Sequence, residues 1–386
     1  MKRIRVLFPY VEAGYGHIMP MKSIDETFRR KYGDKVDVIS SDFFKETGDK
    51  HLIMYEQMLS RQVRLYNRFP AIGHLATAVC EFVGTDLSSF GAMRLVSPIA
   101  RRRGIAHMEE LEPDFVFSTH WATNYYAQFA KNKPYTVVYC PDAQLYKLFC
   151  FRSDLTLISM PYGYQIGLRK KQYSTSNLKL VPFLIRNEAF DVDSDKKEIR
   201  KKLGLPEDSF TVLLAEGGYG IGKMGRITEI LSKEHIPLTI IPVCGTNSKL
   251  FSRLREIKPS DEVTLIPYAF AENMIELQAA SDIFCGKSGN ILAEATFFGN
   301  PCIVTHCANQ IERNIADHYM NTVGNAFMQF SAKKAADMIK TFACERSKME
   351  IYRKAAVDYQ SNFGSETAAD ILWGRITETY PELLND

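Results

Sequence analysis

The sequence has no CxxC pair, no stretch of about 18 uninterrupted apolar residues and little net charge, and each absence removes a class of protein. Its eight cysteines, Cys80, Cys140, Cys150, Cys244, Cys285, Cys302, Cys307 and Cys344, are scattered and mostly sit beside apolar residues. Buried, reduced thiols are therefore expected rather than zinc ligands or a disulfide framework. Without an apolar run of spanning length, any membrane contact is expected to be peripheral. Residues 1–10 run straight into a strand pattern and carry no long apolar stretch of the secretory kind, which suits a cytoplasmic protein. A formal net charge of +3 is too small for a surface that coats nucleic acid, so no such partner is expected. No short internal repeat is visible.

What is present is a chain of 386 residues, 46% hydrophobic and 24% charged, enough for two folded domains of comparable size. Short β-branched runs alternate with helical patterns, at 4–8, 36–39, 115–118, 136–139 and 155–158 in the first half. In the second half they fall at 211–214, 238–242, 263–266, 283–285 and 302–304. Such short runs with little polar alternation fit parallel strands covered on both faces, and the intervening helices make βαβ crossovers. The predicted fold is α/β, with two Rossmann-like, doubly wound parallel-sheet domains. A charged stretch at 191–202 and a linker near 182–190 divide an N-terminal domain, 1–186, from a C-terminal domain, 187–386. The segment at 45–110 breaks the pattern. It reads as helical, with Met54, Met58, Leu65 and Phe69 interleaved with Arg61, Arg64 and Arg68, and it ends near Arg101-Arg102-Arg103. It is either an ordinary helix pair packed on the sheet or a surface whose aliphatic side chains dip into lipid while its arginines meet anionic head groups.

Three loops carry candidate chemistry. The first, Ala13-Gly14-Tyr15-Gly16-His17-Ile18-Met19-Pro20, follows the first strand. Its glycines allow a sharp strand-to-helix turn, and Pro20 fits the first turn of a helix whose apolar stripe is Ile18, Met21, Ile24 and Phe28. This puts His17 at the carboxyl edge of the sheet, where ligands bind in open α/β folds. There it is either a general base or a histidine packed at a loop.

The second loop runs Glu216-Gly217-Gly218-Tyr219-Gly220-Ile221-Gly222-Lys223. Glycines at a strand-to-helix turn expose backbone N–H groups that bind phosphate, or simply allow a tight turn. The stretch even spells GxxxxGK, but Met224 stands where a P-loop needs a hydroxyl for magnesium, and no strand ending in a partner Asp follows.

The third site is Cys285-Gly286-Lys287-Ser288-Gly289-Asn290-Ile291-Leu292-Ala293-Glu294, continuing to Gly299 and Pro301. Strand, small-residue turn, helix and glycine stop succeed one another, with Ser288 the expected N-cap and Ile291, Leu292, Ala295 and Phe298 the buried face. Glu294, on the flank of that stripe, is either a surface carboxylate or an acceptor for both hydroxyls of a ribose. Farther on, Gln310 and Asn314 share one helix face at i and i+4, as a solvated pair or as amides placed for sugar hydroxyls.

On these motifs the chain resembles glycosyltransferase family 28, and within it the diacylglycerol glycosyltransferases and monogalactosyldiacylglycerol synthases, with MurG a more distant relative. Gly14-Tyr15-Gly16-His17 resembles the group's Gly-rich His loop, with Pro20 in register. The stretch from Leu111-Glu112-Pro113-Asp114 to Ser118-Thr119-His120 resembles its Pro-Asp…Thr-His strand, and Pro141-Asp142 falls where the family has Thr-Asp. Gly217-Gly218-Tyr219-Gly220 resembles its second Gly-rich loop, the Ser288 to Pro301 stretch its donor helix, and the apolar-basic insertion its lipid-facing region. The departures are Tyr15 and Asn290 in place of glycines, Glu216 bringing a negative charge next to a phosphate loop, and a segment at 144–152 without the usual histidines.

The resemblance implies a GT-B fold, the two domains facing a cleft, and an inverting transfer of a hexose from a UDP-sugar to a lipid acceptor such as diacylglycerol. It implies a peripheral enzyme at the cytoplasmic face of an anionic membrane surface. Tyr268, Ala269 and Phe270 would flank the uracil, and Glu294 would hold the ribose. The turns Gly217-Gly218-Tyr219-Gly220 and Ser288-Gly289-Asn290 would meet the diphosphate, and Gln310 and Asn314 would reach the sugar. His17 would be the base, with Asp142 sharing that role or serving only as a turn former. Backbone dipoles would carry the diphosphate charge, so neither a metal nor a cofactor is expected. The last helix is placed to pack back on the N-terminal domain.

Overall fold

The computed structural model describes residues 3–11, 15–83, 98–147, 153–193 and 195–384. The chain forms two compact units. One comprises Met1–Leu65, Leu75–Asn187 and Asn362–Asp386, and the other Tyr66–His74 and Glu188–Ser361. The polypeptide thus passes between units at 187/188 and again at 361/362, and the short piece Tyr66–His74 of the helical insertion groups with the second unit.

The first unit is built on six parallel strands: β1 (Arg5–Tyr10), β2 (Asp37–Asp42), β3 (Phe115–Ser118), β4 (Tyr135–Cys140), β5 (Leu155–Ile158) and β6 (Leu178–Leu180). Their order across the sheet is β2-β1-β3-β4-β5-β6. Alternate residues of β1 enter different cores. Val6 and Phe8 pack with Met21, Ile24 and Phe28 and with Leu372 and Ile376 of the helix Glu366–Thr379, while Leu7 packs with Tyr125, Tyr126 and Phe43. Helices on both faces explain why these strands read as apolar runs rather than alternating ones. The last helix belongs to this unit, where Trp373 stacks on Tyr32 at 4.5 Å and Ser365 bonds Thr27 at 2.7 Å.

The second unit repeats the plan with β7 (Phe210–Ala215), β8 (Leu238–Val243), β9 (Val263–Leu265), β10 (Ile283–Lys287), β11 (Cys302–His306) and β12 (Ala326–Met328), in the order β12-β11-β10-β7-β8-β9. Both sheets are wholly parallel and doubly wound, as the run lengths predict. Among the described residues seven cysteines are unpaired. Five are buried, but Cys80 and Cys344 are exposed, which corrects the expectation that the thiols lie inside.

The insertion contributes the helices Lys50–Arg68 and Pro70–Val83 and, after residues outside the described set, Pro98–Glu110. Leu52, Tyr55 and Leu59 face the core, while Met54, Met58 and Leu65 stand in solvent on the opposite face. Leu75, Val79 and Phe82 form a second outward stripe at helical spacing, with Phe82 89% exposed. The basic run is less free than its sequence suggests. Arg101 donates from Nε to the Tyr125 hydroxyl at 2.8 Å and lies over the Phe129 ring, and Arg103 pairs with Asp49 at 3.4 Å. Arg102 is exposed.

Candidate active site

In the first unit the strand order reverses direction between β1 and β3, and the carboxyl ends of these neighbours form the crevice in which open α/β sheets bind ligands. His17 sits there, in the first turn of the helix Tyr15–Tyr32. That helix starts five residues before Pro20, so the proline lies inside it rather than in its first turn. Gly14 lies outside the described residues, as do residues 148–152 of the segment at 144–152.

Two bonds stitch His17 to the end of β3. Its Nδ1–H donates to the Thr119 carbonyl at 2.8 Å, and the Thr119 hydroxyl donates to the His17 carbonyl at 2.8 Å. A carbonyl only accepts, so the proton resides on Nδ1 and the lone pair on Nε2. Burial pulls the imidazole below its ordinary range, against the opposing effect of the Thr119 bond, and keeps it neutral at pH 7. His120, only 3% exposed, meets His17 edge-on with ring centroids 5.0 Å apart. Its Nδ1 accepts the Ala122 N–H at 3.2 Å, capping the helix Trp121–Phe129. Burial, then the neighbouring His17, pushes His120 well below the usual imidazole range. His120 was legible only as part of a motif; its place directly after a strand was the signal that marked it. Asp142 is half-buried in the bend after β4 at the same sheet edge. With β3 between β1 and β4, it stands roughly 10 Å from the β1 line, two strand spacings away.

The second unit reverses between β7 and β10. Gly217 and Gly220 adopt φ of 68° and 56°, and a Cβ on Gly220 would lie 2.1 Å from the Cys244 carbonyl oxygen, so that position accepts only glycine. The Gly218 carbonyl accepts the Thr246 N–H at 2.9 Å, which locks this loop to the one after β8. Glu216 does not stand beside the loop as expected but lies beneath it, 1% exposed. Its Oε1 accepts the Lys223 N–H at 2.9 Å and the Thr305 hydroxyl at 3.0 Å, capping the helix Met224–Leu231 from inside. Its Oε2 has no hydrogen-bond partner, and burial pushes the acid up to about 7. The lysine of the GxxxxGK stretch turns inward as well, with Lys223 Nζ donating to the carbonyls of Thr305 and Phe330.

At the end of β10, Lys287 pairs with Glu312 at 2.7 Å, and its Cδ passes 3.5 Å from where a Cβ on Gly217 would stand. Sequence reading passed over this cation, although it opens the small-residue turn. Ser288 is not the N-cap of the helix Ile291–Phe297. Asn290 holds that place, because the Ser288 hydroxyl is taken by the Glu312 carbonyl at 2.6 Å and Gly289, at φ 149°, carries the chain onward. Glu294 lies not on an open flank but 5% exposed, where Gln278 Nε2 donates to its Oε2 at 2.9 Å. Gln310 and Asn314 do share a face of the helix Gln310–His318, bonded to each other at 2.8 Å. That helix is started by a box in which the Asn309 side chain accepts the Glu312 N–H and Glu312 Oε2 accepts the Ala308 N–H. Tyr268 bridges to Val243 beyond β9; Ala269 is exposed beside it, and Phe270 is 55% exposed. Among the described residues no three His, Cys, Asp or Glu side chains gather as a metal ion requires.

No protein-family model matches the chain. Over 384 residues it is 24% identical to the probable monogalactosyldiacylglycerol synthase 2, chloroplastic, of Oryza sativa subsp. japonica, a match covering 90% of this chain and 75% of that one. A stretch of 132 residues is 31% identical to the processive diacylglycerol beta-glucosyltransferase of Bacillus licheniformis, covering 33% and 34% of the two chains. Among solved structures, the S. aureus MnaA–UDP complex shares the fold with a TM-score of 0.60 and 16% identity, over 100% of this chain and 98% of that one. Acinetobacter baumannii MurG does so with a TM-score of 0.57 and 11% identity, over 96% and 99%. Two Rossmann-like units, each with a ligand edge at its switch point, define the class of fold: the chain has the GT-B fold, and its relatives in sequence are glycosyltransferases. These relatives are monogalactosyldiacylglycerol synthases and a diacylglycerol glucosyltransferase.

Proposed function

We propose that the chain transfers a hexosyl group from a UDP-sugar to a lipid acceptor such as diacylglycerol, with inversion, while bound peripherally to the cytoplasmic face of an anionic membrane. The observation that carries the lipid reading is the pair of outward apolar stripes, Met54-Met58-Leu65 and Leu75-Val79-Phe82, on helices next to the sheet that holds His17. A soluble acceptor gives no reason for six large apolar side chains to stand in water, whereas an interfacial helix uses such a face.

In this reading the acceptor hydroxyl oxygen forms a bond to the anomeric carbon as the bond from that carbon to the UDP oxygen breaks. UDP leaves with the electron pair. His17 Nε2 takes the hydroxyl proton, its neutral tautomer prepared by the Nδ1 bond to Thr119. His120 keeps the His17 ring in place by edge contact, and Asp142 orients the acceptor from farther along the same edge. The donor seat belongs to the second unit. Tyr268, Ala269 and Phe270 flank the base, and Glu294, steadied by Gln278, takes the ribose hydroxyls. Gly217, Gly218, Tyr219 and Gly220, with Ser288, Gly289 and Asn290, meet the diphosphate through backbone N–H groups, and Gln310 and Asn314 address the sugar. Backbone donors and Lys287 carry the leaving-group charge, so the step takes place without a metal or cofactor.

The test is a panel of UDP-sugars incubated with the protein and diacylglycerol vesicles, scored for free UDP and for glycolipid. Lipid-dependent release of UDP with a matching glycolipid is the expected result. Conversion of the sugar nucleotide to an epimer without net UDP release would replace transfer by epimerisation.

A further inference from the structure

Glu216 is a buried acid at the end of β7 whose side chain lies directly beneath the glycine loop. One oxygen is fully engaged by the Lys223 N–H and the Thr305 hydroxyl, while Oε2 faces Gly222 without a partner, so close that a Cβ there would stand 1.8 Å away. The Met224 N–H eases the charge from nearby, but Oε2 makes no hydrogen bond of its own, so a bare carboxylate there is poorly compensated. One of the nearby cations, Lys287 on β10, is already paired with Glu312. Lys223 is the other cation at hand, and its Nζ donates to the Thr305 and Phe330 carbonyls instead.

Burial moves three neighbouring titratable groups away from neutral pH. On β11, His306 is pushed down to about 4 by burial and by Lys287 and Lys223. On β10, burial holds the Cys285 thiol far above its ordinary range, and past β11 burial drives Cys307 up to about 12. Glu216 moves the other way, its acid raised by burial into the physiological range, to about 7. A diphosphate settling on the other side of the same loop adds negative charge next to it. Two like charges separated by a thin, poorly hydrated layer disfavour each other, and the carboxylate can relieve this by taking a proton.

Resting on the donor reading above, we infer that Glu216 is a proton-coupled positioning residue of the donor seat: the diphosphate settles over the glycine loop as the Glu216 carboxyl takes up a proton on Oε2. By linkage, a proton that favours the diphosphate is favoured equally by it, so donor affinity falls as pH rises through neutrality. The loop thereby gains a pH response that glycine at position 216 would not give it.

The experiment is calorimetric binding of UDP to the whole chain and to Glu216→Gln between pH 6.5 and 8.5. UDP's own phosphate titration is common to both proteins, so the difference between their profiles reports Glu216. Wild-type affinity is expected to fall roughly tenfold more than that of the variant across this range. Repeating the wild-type titration at pH 8 in two buffers of different ionisation heat should also reveal net proton uptake, a readout that does not depend on the variant folding. Parallel pH profiles, or the absence of proton uptake by the wild type, overturn the inference. UDP binding by neither protein overturns the donor reading itself, and this inference with it.

Discussion

Replacing Glu216 by glutamine removes a buried acid whose pKa burial raises toward neutrality, and the effect on stability follows from its surroundings. In the unfolded chain a glutamate has its ordinary value of 4.5, whereas burial raises it to about 7 in the folded unit. The folded state therefore binds the proton more tightly, and between these two values stability declines as pH rises. Below the unfolded value both states are protonated and the residue contributes nothing. Above about 7 the whole penalty is present, roughly 3 kcal/mol at ~1.4 kcal/mol per pH unit. Glutamine keeps a carbonyl oxygen for the Lys223 N–H and has no charge to bury, so Glu216→Gln should match wild type near pH 4.5 and gain on it steadily to pH 8. Denaturant unfolding at several pH values measures this. Both tryptophans, Trp121 and Trp373, belong to the first unit, so their fluorescence follows that unit while circular dichroism follows both. The predicted gain appears in the dichroism transition and not in the fluorescence. A stability difference between the two proteins that stays constant from pH 4.5 to 8 would refute the burial argument.

His17→Ala should lower kcat by at least about a hundredfold and leave UDP affinity nearly unchanged, because it removes the proton acceptor and nothing from the donor seat. The acid limb of the wild-type pH–rate profile should lie below the ordinary imidazole value of 6.5 and vanish in the variant. If Asp142→Asn abolishes turnover while His17→Ala barely moves it, the base is Asp142. Glu294→Ala should weaken UDP at least tenfold, since charge-assisted hydrogen bonds to the ribose contribute about 1.5–3 kcal/mol each; Gln278→Ala, which only frees the carboxylate, should cost less. Calorimetry that finds UDP binding unchanged in Glu294→Ala would remove that role. Changing Leu75, Val79 and Phe82 together to serine should abolish vesicle co-sedimentation, each side chain contributing about 1.5–3 kcal/mol when fully buried in lipid. Arg102→Ser should cost about 1 kcal/mol on anionic vesicles only, and Arg101→Ser should instead disturb the packing against Tyr125.

The central strands were legible because both their faces are buried, which leaves short apolar runs in the sequence: 115–118 and 155–158 match β3 and β5 to the residue. Leu178–Leu180 and Ala326–Met328 went unseen, since edge strands of three residues with half-exposed side chains leave too little pattern. Chain direction at the site was harder to read. Pro20 marks a helix start in most contexts, yet here the helix begins at Tyr15, where the glycine that follows makes an early turn permissible. A carboxylate next to a glycine loop reads as exposed, but Glu216 continues the buried run of β7 and finds donors at the next helix start. The Lys287–Glu312 pair joins a strand end to a helix start 25 positions later, and no local spacing announces such a contact.

The central claim is lipid-directed transfer, and product formation on membranes tests it most directly. With the preferred UDP-sugar held at saturation, diacylglycerol in anionic vesicles should release UDP in proportion to the accessible lipid surface and yield a glycolipid whose anomeric configuration is inverted relative to the donor. UDP release that needs no lipid, or vesicles that stay unmodified while the sugar reaches a soluble acceptor, would contradict the account.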